Sequence, residues 1–397
     1  MRGDVGKRDE LDMKILYEPE KQMQISMFDG AKPFKITKPI RLIELFAGIG
    51  AQAKALENLG VGFEHYRICE FDKFAVASYN AVHGTDFTIS DITQIHASDL
   101  GITETDKYEY IMTYSFPCTD LSTAGKQKGM GKGSGTRSGL LWEVERLLKE
   151  TKELPQVLLM ENVPGVIGSK NIKHFAEWVA FLDNLGYRSK WEVLNAKDFG
   201  IAQNRNRCFM VSILEDCYYN FPVETIRTKP LIDFLEFDIK YMIDPTKLTQ
   251  TQKNCISHIA NETFSKTIRS GGMKSRDRHE WAVYSVELRQ SEKFIKNKSL
   301  WIKNLSKTIC VQHLNSYTID GKIYFDYSPK ECWRLMGFSD KDYYCAEKEV
   351  SNTQLYKQAG NTIVVTVLMA IFGQMFDINW KEKINETVEE IIKEVEK

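Results

Sequence analysis

The chain has 397 residues, with 53 Lys+Arg against 54 Asp+Glu and 43% hydrophobic residues. At roughly 150 residues per domain this length predicts two or three units with ample core, and the composition excludes a disordered chain. Apolar stretches such as 363–372 fall far short of the ~20 residues of a bilayer span, the N-terminus MRGDVGKRDELDMK lacks a signal-peptide core, and eight cysteines without a CxxC pair exclude a zinc ribbon or a disulfide framework.

In chain order, residues 1–39 are polar and aperiodic, end in Pro33 and Pro39, and read as a tail. Residues 41–46 predict a strand and 51–59 a helix stopped at Gly60. A second strand at 66–69 leads into a helical stretch at 73–82. Buried strands follow at 110–114 and 156–160, with a helix at 140–150 between them, and another strand covers 208–214. Alternation of this kind predicts an α/β fold, a doubly wound and mostly parallel sheet. After about Glu215 the alternation stops, and segment 247–310 carries 13 Lys/Arg against five acids, as expected of a smaller basic domain facing a polyanion. An apolar helical segment at 358–372 returns, and a last helix at 382–397 shows one apolar face through Ile384, Val388, Ile391, Ile392 and Val395. The expected division is a tail at 1–39, a catalytic and cofactor domain at 40–215 completed by 355–380, a recognition domain at 216–354 and a terminal helix at 381–397.

Phe46-Ala47-Gly48-Ile49-Gly50 follows the first strand and opens a helix, so its backbone can approach a ligand closely. With Ala53 it satisfies G-x-G-x-x-A, and Glu70 stands 20 residues beyond Gly50, where a ribose-binding acid is expected. That pattern alone fits a nicotinamide or an S-adenosyl cofactor. Ser115-Phe116-Pro117-Cys118 ends the strand at 110–114, which places Cys118 in the crevice as a candidate nucleophile. Six glycines and Lys126, Lys128, Lys132 and Arg137 follow within 119–139, as in a basic lid. Glu161 ends the next apolar strand, where its pKa would rise and suit it to donate a proton. In Gln203-Asn204-Arg205-Asn206-Arg207, alternation turns residues 203, 205 and 207 to one side, and two arginines there suit phosphate or base-edge recognition.

These elements, in this order, resemble the C5-cytosine DNA methyltransferases of bacterial or phage type. The likeness runs from about Arg41 to Ala370 and also takes in Asp91-Ile92, Arg137 to Leu141, Ser328 to Phe338 and Gly360-Asn361-Thr362-Ile363-Val364. It implies an S-adenosylmethionine-dependent methyltransferase fold with a basic target-recognition domain, acting on a short sequence in double-stranded DNA. Phe46 would stack on the adenine, Glu70 would bind the ribose, Asp91 would meet the adenine amino group, and Gly48, Gly50, Ile92, Pro117, Leu140 and Asn361 would complete the pocket. Cys118 would attack C6 of a flipped cytosine, Glu161 would hold or protonate N3, and Arg207 would grip O2 with Arg205 in support. Thr119 departs from the family's usual Gln. The same resemblance admits a tRNA cytosine methyltransferase; a catalytically silent sequence-specific DNA-binding protein and a nicotinamide dehydrogenase are readings of other classes.

Gln24-Ile25-Ser26-Met27-Phe28 resembles the short peptide that docks in bacterial sliding clamps, an extended segment with two apolar anchors. His279 and Trp281 lie in the basic region as candidate target readers. No His, Cys and carboxylate cluster has metal-ligand spacing, so no metal is expected. The remaining expectations are a monomer, no membrane association and a cytoplasmic, nucleoid-associated location.

Overall fold

The computed structural model describes residues 32–121, 128–215, 217–236, 238–243, 246, 257–258, 283–287, 318–319 and 322–395. Its main sheet has six strands: β1 (Ile40–Leu45), β2 (Phe63–Cys69), β3 (Glu109–Tyr114), β4 (Val157–Asn162), β5 (Arg188–Asn195) and β6 (Asn206–Ile213), in the order β2-β1-β3-β4-β6-β5. The β2–β1, β1–β3 and β3–β4 pairs are parallel, and β6 runs antiparallel to both neighbours. One reversed strand among six is the mostly parallel sheet that the alternation predicts, and the order reverses between β2 and β3 around β1. In such sheets the crevice at that switch point, above the carboxyl ends of the strands, is where ligands bind.

Successive side chains of a strand face opposite ways, and here both faces are buried. Leu42, Ile111, Leu159 and Val211 enter one core with α1 (Ala51–Leu59) and α8 (Val365–Phe376). Ile43, Leu45, Met112, Leu158 and Met160 enter the other with α3 (Leu141–Glu150) and α4 (Ile172–Asn184), while α2 (Lys73–His83) follows β2. The pattern reading passed over β5 and α4. As an edge strand β5 is only partly buried, and α4 shows its stripe through Phe175, Trp178, Val179 and Leu182.

Three expected boundaries shift. Phe34 is buried in the first core and the Lys32–Pro33 backbone pairs with Cys217–Tyr218, so the end of the expected tail is docked. Tyr219, Phe221, Phe234, Trp333, Phe338 and Tyr343 also lie in that core, so both ends of the 216–354 segment pack with the main sheet. Between them a five-stranded sheet includes β7 (Val283–Glu287) and β8 (Lys322–Asp326), paired antiparallel. Apart from these short strands, most of the basic segment 247–310, including His279 and Trp281, lies outside the described residues, as do Lys126 and Gln24 to Phe28.

Helices α5 (Pro329–Arg334), α6 (Asp340–Glu347), α7 (Asn352–Asn361), α8 and α9 (Trp380–Val395) close the chain. The apolar stretch read as one helix is two, broken at Thr362, because Arg205 takes the Gly360 and Thr362 carbonyls that an unbroken helix would use itself. On α9 the expected face is buried through Ile384, Val388, Ile391 and Ile392. No single described helix is long and apolar enough to cross a membrane.

Candidate active site

At the carboxyl end of β1 the chain enters a tight turn in which Phe46, Gly48 and Gly50 all have positive φ, at 58°, 59° and 77°. A phenylalanine rarely adopts that conformation, and it is held here by the Phe46 and Ala47 amides, which both donate to the Cys69 carbonyl. The two glycines do different work. A Cβ on Gly48 would meet nothing within 4 Å, whereas one on Gly50 would stand 2.3 Å from His83 Nε2. The turn thus has an open face and a packed one. Gly50→Ala is expected to cost at least about 1–2 kcal/mol from backbone strain alone; urea unfolding would check this.

Glu70, at the end of β2, faces this turn. Its Oε2 accepts the Gly48 N–H at 2.9 Å and its Oε1 the Asp72 N–H at 2.8 Å. Burial, opposed by those bonds, raises its pKa. Asp91 takes both Thr93 contacts on Oδ1, which leaves Oδ2 without a partner among the described residues. Ile92 beside it is buried. The hydroxyls of Ser90 and Ser115 are buried with no partner, so this end of the crevice offers unused polar capacity beside an open glycine face. Phe71, which the sequence reading missed, stands 74% exposed in the turn between Glu70 and Asp72. Its only sequence signal is an aromatic directly after a strand-ending acid.

Cys118 follows β3 on a loop fixed from three sides. Asn162 Nδ2 donates to the Phe116 carbonyl at 2.9 Å, Ser138 Oγ to the Pro117 carbonyl at 2.6 Å, and the Leu121 N–H to the Cys118 carbonyl at 3.0 Å. Asp120 accepts the Arg137 and Ser138 N–H groups on Oδ2, which ties the Cys118 loop to the turn bearing Leu140. Further along, Met130 is fully buried and its carbonyl accepts Trp142 Nε1–H at 2.7 Å, while Lys132 pairs with Glu145. The expected lid is therefore anchored at this point.

Because β6 runs antiparallel beside β4, its first residues arrive at the edge where β4 ends, with Asn162 opposite Cys208. Arg207 Nε thereby lies 3.0 Å from Glu161 Oε1. Burial raises the Glu161 pKa, against the pull of Arg207 and then Arg205. Burial likewise pushes the Cys118 thiol up, with Arg207 drawing it down and Glu161 adding to the rise. Cys118, Glu161, Arg205 and Arg207 are thus one electrostatic group.

The alternation in Gln203-x-Arg205-x-Arg207 receives a physical account. Gln203 Nε2 donates to the Leu335 carbonyl at 2.6 Å, and Arg205 donates to the Gly360 and Thr362 carbonyls at 2.9 and 2.8 Å. Arg207 takes Glu161. One edge thus joins three distant elements, and the buried Arg205 straddles Asn361 instead of lining an open cleft. Arg205→Ala removes both bonds and leaves two carbonyls and a cavity. It is expected to destabilise the fold by roughly 3 kcal/mol in urea unfolding.

Among the described residues, Glu57, His65 and His83 bring ligand-type atoms within 4.8 Å of one another, a grouping that sequence spacing does not reveal.

A family model described as C-5 cytosine-specific DNA methylase matches residues 40–377. The chain is 28% identical to type II methyltransferase M2.ScrFI of Lactococcus lactis subsp. cremoris, over 85% of this chain and 99% of that protein. It is 32% identical to type II methyltransferase M.NlaX of Neisseria lactamica, over 84% of this chain and 96% of that one. The crystal structure of S. pombe Dnmt2 methyltransferase superimposes with a TM-score of 0.62 at 19% identity, covering 86% of this chain and 99% of that one, a likeness of fold.

Proposed function

The chain belongs to the C-5 cytosine-specific DNA methylase family, and on that premise we propose that it methylates C5 of cytosine within one short DNA sequence, through a flipped base and a covalent bond from Cys118 to C6. It is a DNA cytosine-5-methyltransferase that uses S-adenosylmethionine. The observation that carries the finer reading is the Cys118, Glu161 and Arg207 grouping, built from three separate strand ends at one edge of the sheet.

Cytosine C5 is a weak nucleophile until electron density is pushed into the ring. The Cys118 thiolate adds to C6 while Glu161, whose pKa burial raises, gives a proton to N3, and the ring becomes an enamine with its density on C5. Arg207 holds Glu161 in place and would grip the ring oxygen O2. S-adenosylmethionine, when bound, supplies the electrophilic methyl group that C5 attacks. Water then takes the C5 proton, the C5–H electrons form the C5–C6 double bond and expel the Cys118 thiolate, and N3 returns its proton to Glu161. The target carbon is buried in the duplex, so the base leaves the stack, which costs a few kcal/mol.

Phe46, Gly48, Gly50, Glu70, Asp91, Ile92, Pro117, Leu140 and Asn361 form the proposed cofactor site. The open face of Gly48, the unpartnered Asp91 Oδ2 and the unpartnered Ser90 and Ser115 hydroxyls fit a ligand with a ribose, an amine and a carboxylate. The region between Leu235 and Phe325, with its small sheet and basic sequence, is the proposed target-recognition unit, and phosphate contacts there would offset the cost of flipping. Gln24 to Phe28 is proposed as a sliding-clamp peptide, tested by pull-down with and without residues 1–31, a deletion that spares the docked Phe34.

Bisulfite sequencing of DNA from a methylation-deficient bacterium expressing the chain, beside a Cys118→Ala control, tests this reading. Protection of cytosines at one short word by wild type alone supports it. No protected cytosine despite soluble protein would contradict it and turn attention to tRNA.

A further inference from the structure

The packed face of the glycine turn holds a polar group that the catalytic reading does not use. His83, in the last turn of α2, has its side chain wholly buried. Its Nε2 lies 3.2 Å from the Ile49 carbonyl, between the two glycines, and its Nδ1 lies 2.7 Å from Glu57 Oε1 on α1. A carbonyl only accepts, so Nε2 carries a proton. Glu57 is ionised: burial pushes it up, but the hydrogen bond and charge of His83, then Lys54, hold its pKa down to about 2. The ring thus bridges a carboxylate on α1 and a backbone carbonyl of the turn.

The surrounding polar groups are paired as well. Lys54 Nζ takes the other Glu57 oxygen at 2.7 Å and is shared with Asp342 at 2.8 Å. Tyr79 donates to Glu44 Oε2 at 2.5 Å, so its oxygen accepts from His65 Nδ1 at 3.1 Å. Burial, then the charge of His83, lowers His65 to a pKa of about 4.

We propose that the Glu57–His83 pair is a positioning device for S-adenosylmethionine, gripping the turn by its Ile49 carbonyl so that Gly48 and Glu70 stay in register for the ligand. This rests on the assignment of that turn to the cofactor. His83 touches the back of the turn and acts only through it.

The test is steady-state kinetics and cofactor and DNA binding on the full chain. His83→Phe keeps a ring of similar size and removes both bonds. It is expected to raise KM and Kd for S-adenosylmethionine about tenfold or more, with kcat and DNA Kd within twofold of wild type. Glu57→Gln, a milder change, should shift KM the same way by a smaller factor and serves if His83→Phe does not fold. Tyr79→Phe, which perturbs the same cluster without touching Ile49, should lower Tm and leave KM alone. An unchanged KM in both the His83 and Glu57 variants overturns the proposal. So does a KM that rises in Tyr79→Phe in step with lost Tm, which would be a merely structural effect. A wild-type protein that carries a stoichiometric divalent metal, with KM rising on chelation, also overturns it in favour of a metal at Glu57, His65 and His83. If wild type itself fails to bind S-adenosylmethionine, the assignment of the turn falls, and that result is distinguishable from all of these.

Discussion

Replacing Cys118 with alanine is expected to lower the methyl-transfer rate by at least about 10⁴-fold, with DNA and cofactor affinities within about threefold of wild type. Without the sulfur no bond forms at C6, and C5 never gains the density to attack a methyl group. The variant should fold, because the loop is held by backbone carbonyls at Phe116, Pro117 and Cys118 rather than by the thiol. Rapid-quench transfer of labelled methyl to DNA, beside a binding titration, separates the two effects. A variant retaining a tenth of wild-type activity would remove Cys118 from the chemistry.

Glu161→Gln is expected to cost about 10²–10⁴-fold in kcat. The amide has the same shape and can hydrogen-bond N3, but it cannot give up a proton. Stability should change little, since losing the 3.0 Å pair with Arg207 is offset by no longer burying a carboxylate. The sign of the pH effect follows from burial: with its pKa raised, Glu161 stays protonated to higher pH than an exposed glutamate. In wild type the Glu161 contribution is thus present at low pH and lost as pH rises through its folded pKa. Glu161→Gln should abolish that alkaline loss. A variant that keeps both the wild-type rate and the wild-type pH profile would show that N3 is protonated from elsewhere.

Local signals are why much of this site was legible before the fold was known. The glycine turn after β1, Cys118 after β3 and Glu161 at the end of β4 each follow a short apolar strand, and strand ends in a parallel sheet meet at one edge. What depends on reversal or long-range pairing was not legible. Arg205 and Arg207 point the same way, yet one is spent on the carbonyls around Asn361 and the other on Glu161. Only the antiparallel course of β6 decides this, and periodicity is blind to direction. The break between α7 and α8 was hidden for a related reason: no proline interrupts residues 358–372, and what interrupts the helix is a guanidinium more than 150 residues away in sequence. Phe34 looked like tail because a single aromatic between two prolines has no period, although the sheet leaves a place for it. His83 carried no motif at all. Its role exists only where α1, α2 and the glycine turn meet.

The central claim is a covalent bond between Cys118 and cytosine C6 during transfer. The most direct test is incubation with S-adenosylmethionine and duplex DNA in which 5-fluorocytosine replaces cytosine. A fluorine at C5 cannot leave as a proton, so the final elimination is blocked. The account predicts a stable protein–DNA adduct that forms only with the cofactor present, mapped by peptide mass spectrometry to Cys118 and absent from Cys118→Ala. Methylation of ordinary DNA with no adduct on the fluorinated duplex, or an adduct at any other residue, would contradict it.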